Sequence, residues 1–284
     1  MTGSSEARAS WTFGALLVLL ALASFGLAVA PASASAAQAR ASIYEGKLET
    51  RGDVNWVAAI LDTSEGSRFD RQFCGGSLIT PRQVLTAAHC LLDEEGEVME
   101  ASELRVLLGT RNLNRGGRIT SVSAVRMFPD YDNASFYGDM AILRLRYSMP
   151  YRPVRLVGEG THFVGDNGYV AGWGDLEPTG SEESRFPVMM RSAFLPILSD
   201  EFCSALDDDF DGDVMLCAGQ EDGSPDTCSG DSGGPLARRV DGRWRLAGTT
   251  SYAVPGCGSV GTYGVYAWVG APILRDWLRQ YVGY

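Results

Sequence analysis

The stretch DTCSGDSGGP, residues 226–235, is the most informative part of the chain because it places Ser232 among glycines after a cysteine. A serine hydroxyl is a weak nucleophile, and it needs a hydrogen-bonded base, most often histidine, to attack a substrate. The chain has two histidines. His89 ends the apolar run LTAAH and precedes a cysteine, whereas His162 lies in the loop-like segment GEGTHFVGDNG. We therefore predict that Ser232 is a nucleophile with His89 as its base, and we interpret His162 as a surface or packing residue.

Two hydrolase architectures that use a catalytic serine are alternatives to weigh against the order of these residues. GDSGG fits the G-x-S-x-G turn of α/β-hydrolases, but those enzymes place their histidine after the serine, and no histidine follows Ser232. The order Asp, His, Ser of subtilisin-type enzymes is formally open because Asp53, Asp62 and Asp70 precede His89. That fold requires strands alternating with long helices, which this sequence lacks. An inactive binding protein of protease fold is a further alternative, which an active-site serine label would identify.

The rest of the chain has the rhythm of a β protein. Short apolar runs such as VNWVAAIL from residue 54, LRVLLG from 104 and WRLAGTT from 244 alternate with polar, glycine-rich segments. Only residues 271–282 carry apolar side chains at helical spacing, which predicts one C-terminal helix that docks on the core. The pattern thus favours an all-β fold with a single substantial helix.

Seven motifs are distributed along residues 43–284: IYEG from 43, CGGSLI from 74, LTAAHC from 85, GDMAILRL from 138, AGWG from 171, DTCSGDSGGP from 226 and GVYAWV from 264. In these motifs and in their order the chain resembles the chymotrypsin and trypsin family of serine endopeptidases. The resemblance implies two packed six-stranded antiparallel β-barrels with a C-terminal α-helix, hydrolysis of peptide bonds through an acyl-enzyme, and no metal or cofactor.

The resemblance also assigns catalytic roles that composition does not. Fifteen aspartates lie between His89 and Ser232, and the resemblance selects Asp139, at the start of the strand MAILRL, as the carboxylate that orients the histidine. It assigns the oxyanion hole to the backbone N–H groups of Gly230 and Ser232.

Activation is expected to depend on Ile43, the first residue of the segment that resembles the family. The resemblance implies that the freed amine of Ile43 pairs with Asp231 and thereby orders the oxyanion hole. Ser42, which precedes it, is not basic, and cleavage after Arg40 leaves two extra residues. We therefore expect processing by an enzyme of different specificity, or trimming after cleavage at Arg40. Glu45 stands where the family usually has glycine.

Specificity for Arg or Lys follows from the pocket positions that the resemblance identifies. Asp226 matches the pocket floor, where a carboxylate binds a guanidinium or ammonium group, and Thr227 places a hydroxyl next to it. Gly264 is expected to leave one wall open, whereas Ala253 replaces a usual glycine and narrows the mouth. The edge strand expected to pair with substrate backbone consists of Ser251, Tyr252 and Ala253.

Six cysteines, an even number in an exported chain, imply disulfides, although the count alone allows fifteen pairings. The resemblance pairs Cys74 with Cys90, Cys203 with Cys217, and Cys228 with Cys257.

Two segments bear on metal binding. Residues 207–213, DDDFDGD, match the opening of a calcium loop, but Ala218 occupies the twelfth position in place of the usual glutamate. We interpret them as a solvated acidic surface near the outer substrate sites that favours basic peptides. The family's own calcium loop is expected to be absent, because Thr110, Arg111 and Arg115 stand where carboxylates are usual.

The first residues predict export. Twenty uncharged residues, Trp11 to Ala30, precede A-x-A cleavage sites, which is typical of a signal peptide, although an uncleaved anchor is the alternative. We predict a signal peptide at 1–36, a short propeptide at 37–42 and a protease domain at 43–284, secreted to the extracellular space or periplasm. The net charge of −11 argues against nucleic acid and anionic membranes as partners. The expected partners of this monomer are Arg- or Lys-containing proteins and peptides, together with protease inhibitors.

Overall fold

The computed structural model describes residues 43–283, so the segments predicted as signal peptide and propeptide lie outside the described residues. Two α-helices, Asp200–Ser204 (α1) and Pro272–Arg279 (α2), and two 3-10 turns, His89–Leu91 and Ala101–Glu103, accompany the strands. The strands are β1 (Lys47–Leu48), β2 (Val57–Leu61), β3 (Gln72–Thr80), β4 (Gln83–Thr86), β5 (Arg105–Leu108), β6 (Arg118–Met127), β7 (Ala141–Leu145), β8 (Arg155–Leu156), β9 (Asn167–Gly172), β10 (Arg191–Pro196), β11 (Met215–Ala218), β12 (Pro235–Val240), β13 (Arg243–Val254) and β14 (Tyr263–Trp268).

The first barrel is a closed antiparallel ring in the order β2, β3, β4, β7, β6, β5. Every residue of β2 is buried. Small residues make this packing possible. A Cβ atom on Gly76 of β3, for example, would stand only 2.7 Å from the side chain of Val84 on β4.

The second barrel is the central part of a larger sheet, in which β10, β9, β12, β13, β14 and β11 follow one another. An antiparallel bridge between Ile197 and Ala218 joins the two ends of this path. Leu198 N–H also donates to Cys217 C=O at 3.0 Å, so the six strands form a ring. The prediction of two six-stranded barrels is therefore confirmed, with β1 and β8 as short additions to the second.

Helix α2 is the docking helix that the C-terminal pattern predicts. Trp277 packs edge-on against Phe128 of the first barrel with 5.8 Å between ring centroids. The amide of Gln83 on β4 donates to Tyr281 C=O just beyond the helix at 2.7 Å. No helix within residues 43–283 is long and apolar enough to cross a membrane.

The two barrels meet where β3 approaches the loop that carries Ser232. Gly75 N–H donates to Ser232 C=O at 2.7 Å, and a Cβ atom on Gly75 would lie 2.9 Å from Gly234 Cα. Glycines on both sides allow the backbones to come this close. The contact holds the Ser232 loop beside the first barrel, which contains His89.

Candidate active site

His89 and Asp139 come together because they lie beside the ends of two paired strands. His89 follows β4, Asp139 precedes β7, and the two strands are antiparallel, with Thr86 opposite Ala141. Asp139 Oδ2 lies 2.7 Å from His89 Nδ1, and Asp139 Oδ1 accepts the His89 backbone N–H at 2.9 Å. The carboxylate is fully buried. It therefore restrains both the ring and the backbone of the histidine.

Ser251 on β13 is a third partner of Asp139. Its buried hydroxyl donates to Asp139 Oδ2 at 2.5 Å, which links the second barrel to the carboxylate. Sequence analysis assigned Ser251 only to the substrate-pairing edge strand. The contact spans 112 residues, and no local pattern signals it.

Ser232 lies half-buried in the wall of a cavity of about 290 Å³ that Ser251 also lines. The next residue, Gly233, has φ of +75° and donates its N–H to Thr250 C=O at 2.7 Å. A Cβ atom on Gly233 would stand 2.1 Å from Thr86 Oγ1, three residues before His89. The structure thus brings the predicted nucleophile and base to the same region. Within residues 43–283, no hydrogen bond joins the Ser232 hydroxyl to the His89 ring.

The backbone N–H groups of Gly230 and Ser232 are both available to an incoming acceptor, since neither donates to another group of the described chain. Gly230 has φ of +90°, a conformation that favours glycine. The side-chain amide of Gln72 donates to Gly230 C=O at 2.9 Å and to Cys74 C=O at 3.2 Å. This amide, which sequence analysis did not single out, anchors the Gly230 peptide to β3.

Comparison with known proteins identifies the architecture. The trypsin family profile matches residues 43–278. The chain belongs to the trypsin family. It is 35% identical over 224 residues to trypsin 5G1 of Aedes aegypti, covering 74% of this chain and 76% of that one. It is 32% identical over 204 residues to a trypsin of Saccharopolyspora erythraea, covering 71% and 84% of the two chains. It is 30% identical over 264 residues to human mannan-binding lectin serine protease 1, covering 86% of this chain and 36% of that protein.

The protein is therefore a serine endopeptidase that acts on proteins or peptides. Its β-barrels exclude the α/β-hydrolase and subtilisin architectures, both of which require a parallel sheet with helices on its faces.

Asp231 is a buried carboxylate without a cation. Gly174 N–H donates to Oδ1 at 2.8 Å and Cys228 N–H donates to Oδ2 at 3.1 Å. A Cβ atom on Gly172 would stand 2.1 Å from Oδ1, so glycines of the AGWG motif make room for the carboxylate. Burial raises the pKa of Asp231 to about 7, although the two N–H donors lower it. None of the ion pairs within residues 43–283 includes this side chain.

The segment that begins at Ile43 is folded into the body of the protease. Ile43 is fully buried, and Asp226 N–H donates to Tyr44 C=O at 3.1 Å. Glu45 has φ of +54°, which explains the family's usual glycine at this position. A left-handed backbone costs a residue with a side chain about 1–2 kcal/mol. The Glu45 carboxylate also accepts the Ser224 hydroxyl at 2.7 Å.

Asp226 lies directly behind the cavity. Its carboxylate accepts Thr227 N–H at 2.7 Å and Gly258 N–H at 3.2 Å, and it is 1% exposed. Burial raises its pKa to about 7, against the lowering effect of these two donors. Thr227 and Ala253 line the cavity, whereas Asp226 does not reach its surface.

Gly264, which is expected to leave one pocket wall open, lies close to Thr227, a residue of the cavity wall. A Cβ atom there would stand 2.9 Å from the Tyr266 hydroxyl and 3.2 Å from the Thr227 hydroxyl. Those two hydroxyls lie 3.3 Å apart. The glycine leaves room behind the cavity wall for this contact.

Phe136, which was not singled out from the sequence, lies between the histidine and Tyr252 of the expected edge strand. The Phe136 ring lies edge-on to His89 with 5.7 Å between centroids, and 5.0 Å from the ring of Tyr252. The Tyr252 hydroxyl donates to Asp207 Oδ2 at 2.7 Å, so the edge strand is tied to the acidic loop. The site therefore extends from the histidine along an aromatic wall to residues 207–213.

The three disulfides pair as the family resemblance implies, with Cα separations of 6.3, 6.3 and 5.3 Å. The Cys74 and Cys90 sulfurs lie near His89, but both belong to a disulfide and offer no thiolate to a metal. His162 packs against Trp268 with 3.8 Å between ring centroids, in agreement with its interpretation as a packing residue.

Proposed function

We propose that this protease cleaves after Arg or Lys, using Ser232 as nucleophile, His89 as base and Asp139 as the orienting carboxylate. The observation that supports the triad best is the bond between Asp139 and His89 Nδ1, which leaves Nε2 as the nitrogen that takes a proton. Family membership supports the same roles.

In this mechanism the Ser232 oxygen attacks the scissile carbonyl carbon while His89 Nε2 takes the hydroxyl proton. The N–H groups of Gly230 and Ser232 stabilise the oxyanion, to which one such donor contributes about 3 kcal/mol. His89 then gives the proton to the leaving amine, and an acyl-enzyme remains. Water attacks the ester carbonyl with His89 again as base, which releases the acid and restores Ser232. Throughout these steps Asp139 holds the ring tautomer and stabilises the imidazolium.

The preference for Arg or Lys rests on Asp226. This carboxylate is 1% exposed and belongs to no ion pair within residues 43–283, so it is poorly solvated, and a guanidinium or ammonium that reaches it past Thr227 supplies the missing charge. Ala253 in the cavity wall adds a methyl group, so we expect reduced rates or an altered ratio of Arg to Lys cleavage.

The substitution Asp226→Ser tests this preference with chromogenic Arg, Lys, Phe and Ala peptides. Loss of one partner of a buried charged pair costs about 2–5 kcal/mol, so kcat/KM for Arg peptides should fall about 30- to 5,000-fold. The exposed residue Asp130 supplies the control Asp130→Ser, which should change nothing. An unchanged ratio of Arg to Phe cleavage in Asp226→Ser would refute the assignment.

Activation by a freed Ile43 amine is part of the proposal. No ion pair within residues 43–283 includes the fully buried Asp231 carboxylate, and Ile43 is already buried in the same body of the structure. A cationic amine beside Asp231 would hold the loop that carries Gly230 in place. N-terminal sequencing of active protein should find Ile43 first. Active material without such a chain would contradict this step.

Secretion, and the domain limits 1–36, 37–42 and 43–284, complete the proposal. Mass spectrometry of protein from the culture medium should find no residue before 37, whereas an uncleaved anchor would retain residues 1–36.

A fluorophosphonate label should modify the protein at Ser232 once Ile43 is free, and a Ser232→Ala variant should remain unlabelled. Equal labelling of the two proteins would refute the assignment of Ser232 as the nucleophile.

Basic residues in the substrate are expected to face residues 207–213, and protease inhibitors are expected to occupy the same cleft.

A further inference from the structure

The cavity of about 290 Å³ beside the proposed nucleophile has a wall residue that the family resemblance does not assign. Within the described part of the chain, its other lining residues belong to the segments 227–232 and 250–257. The exception is Thr179, an exposed residue of the connection between β9 and β10. We call residues 174–187 of this connection the bridging loop. A third segment of the chain therefore contributes to the cavity.

Thr179 is held against the bend that follows β13. Its backbone N–H donates to Cys257 C=O at 2.9 Å, and its hydroxyl donates to Cys257 Sγ at 3.3 Å. Gly256 makes room for the side chain, since a Cβ atom there would stand 2.8 Å from both Thr179 Cβ and Thr179 Cγ2. A backbone hydrogen bond and close packing together restrict how far the residue can move. Thr179 is thus a fixed part of the cavity wall.

The neighbouring residue, Pro178, extends this contact toward Asp226. A Cβ atom on Gly258 would stand 2.8 Å from Pro178 Cβ, so the missing side chain of the glycine lets the two segments come this close. The backbone N–H of Gly258 donates to the Asp226 carboxylate at 3.2 Å. The bridging loop therefore supports both a wall of the cavity and the backbone that binds the carboxylate behind it.

The two ends of the bridging loop are fixed as well. Asp175 N–H donates to Ser229 C=O at 2.8 Å, which ties the start of the loop to the segment before the proposed nucleophile. Arg185 N–H donates to Asp175 Oδ1 at 2.7 Å, and Leu176 N–H donates to Arg185 C=O at 3.0 Å. The side chains of Arg185 and Glu177 form an ion pair at 2.7 Å. Because the loop is closed at its neck and docked at Thr179, little ordering is needed when a substrate binds.

We propose that Thr179 is a specificity-determining residue, whose side chain contacts the substrate side chain that enters the cavity in front of Asp226. The inference rests on the proposed preference for Arg or Lys and adds a residue from the bridging loop to it. The cavity is small, so a charge on its wall acts on a bound guanidinium or ammonium through poorly screened space. The uncharged side chain of Thr179 leaves the Asp226 carboxylate as the charge that selects the substrate.

The test changes the charge at this position in the processed enzyme, with the variants Thr179→Lys and Thr179→Asp. The matched controls, Ser184→Lys and Ser184→Asp, make the same changes at an exposed residue of the bridging loop that does not line the cavity. With an Arg p-nitroanilide peptide, Thr179→Lys should raise KM at least about fivefold and Thr179→Asp should lower it about twofold. The value of kcat should stay within about twofold, because the wall charge acts equally on bound substrate and transition state. Both controls should stay within about twofold in KM as well.

Two further measurements separate this inference from the proposed function. A fluorophosphonate label places no cation in the cavity, so it should modify Ser232 at the same rate in the parent and in all four variants, which shows that each is folded. If the parent cleaves Arg peptides no faster than Phe peptides, the preference for Arg or Lys is overturned and this inference with it. If the parent prefers Arg but the Thr179 and Ser184 variants shift KM equally, or not at all, this inference alone is overturned.

Discussion

The substitution Ser251→Ala removes the hydroxyl that bonds to Asp139 from the second barrel. A hydrogen bond to a charged group contributes about 1.5–3 kcal/mol to stability, and we expect unfolding free energy to fall by this amount. The effect on kcat should be smaller. The variant keeps both contacts between Asp139 and His89, at 2.7 and 2.9 Å. We expect a loss of about 1 kcal/mol of transition-state stabilisation, or about fivefold in kcat.

Comparing Ser251→Ala with two further variants separates the effect of this hydrogen bond from the loss of the carboxylate and from the loss of a buried hydroxyl. Asp139→Asn removes the charge itself and favours the wrong tautomer of His89, a change that lowers kcat about 10⁴-fold in this family. Ser77→Ala is the matched control, since the Ser77 hydroxyl is fully buried but has no hydrogen-bond partner within residues 43–283. It should leave kcat unchanged and stability equal or higher.

The assay is steady-state hydrolysis of an Arg p-nitroanilide peptide, with stability measured by urea unfolding in the Ser232→Ala background to prevent autolysis. A loss of kcat in Ser251→Ala as large as that of Asp139→Asn would show that the hydroxyl does more than position the carboxylate. If neither kcat nor the free energy of unfolding falls, the hydrogen bond from Ser251 to Asp139 contributes to neither catalysis nor stability.

Three further outcomes are expected. Gly233→Ala should lower the free energy of unfolding by about 2–5 kcal/mol, because its φ is positive and its Cβ atom would stand 2.1 Å from Thr86 Oγ1. Gly242→Ala, with φ of +70° and open space around it, should cost about 1–2 kcal/mol. Equal losses of the two variants in urea unfolding would refute this. Gln72→Ala removes the hydrogen bond to the Gly230 carbonyl, so kcat should fall several-fold with little change in KM, and an unchanged kcat would show that this bond does not position the proposed oxyanion donors. In the proposed pocket, benzamidine pairs with the ionised form of Asp226, whose pKa burial raises to about 7. Its affinity should be constant above this pH and fall about tenfold per pH unit below it; constant affinity by calorimetry from pH 5 to 8 would contradict the assignment.

Local sequence was sufficient for the class of fold and for two of the proposed catalytic residues. Short apolar runs between polar turns predicted a β protein, and the structure confirms it. Ser232 and His89 were identified from the chemistry that a serine needs and from the presence of only two histidines. Their roles remain proposals. Asp139 was assigned from the family resemblance alone, because fifteen aspartates lie between His89 and Ser232 in the sequence.

Other features depend on contacts between distant parts of the chain. Ser251 bonds to Asp139 across 112 residues, and the Phe136 ring lies beside both His89 and Tyr252. The role expected of Gly264 stays a prediction, and its closeness to the Thr227 hydroxyl, 3.2 Å from where a Cβ atom would stand, is a contact that spacing along the chain does not show.

The sequence by itself determined the strands, the reactive motifs and the family, because these depend on residue type and on spacing along the chain. Only the tertiary structure decided which carboxylates are buried without a cation, which N–H groups lack an acceptor, and that Thr179 lines the cavity beside Ser232. The physical reason is that burial and neighbouring charge are properties of a place in the folded molecule. Closing the barrels and packing them together creates those places from segments that no local pattern relates.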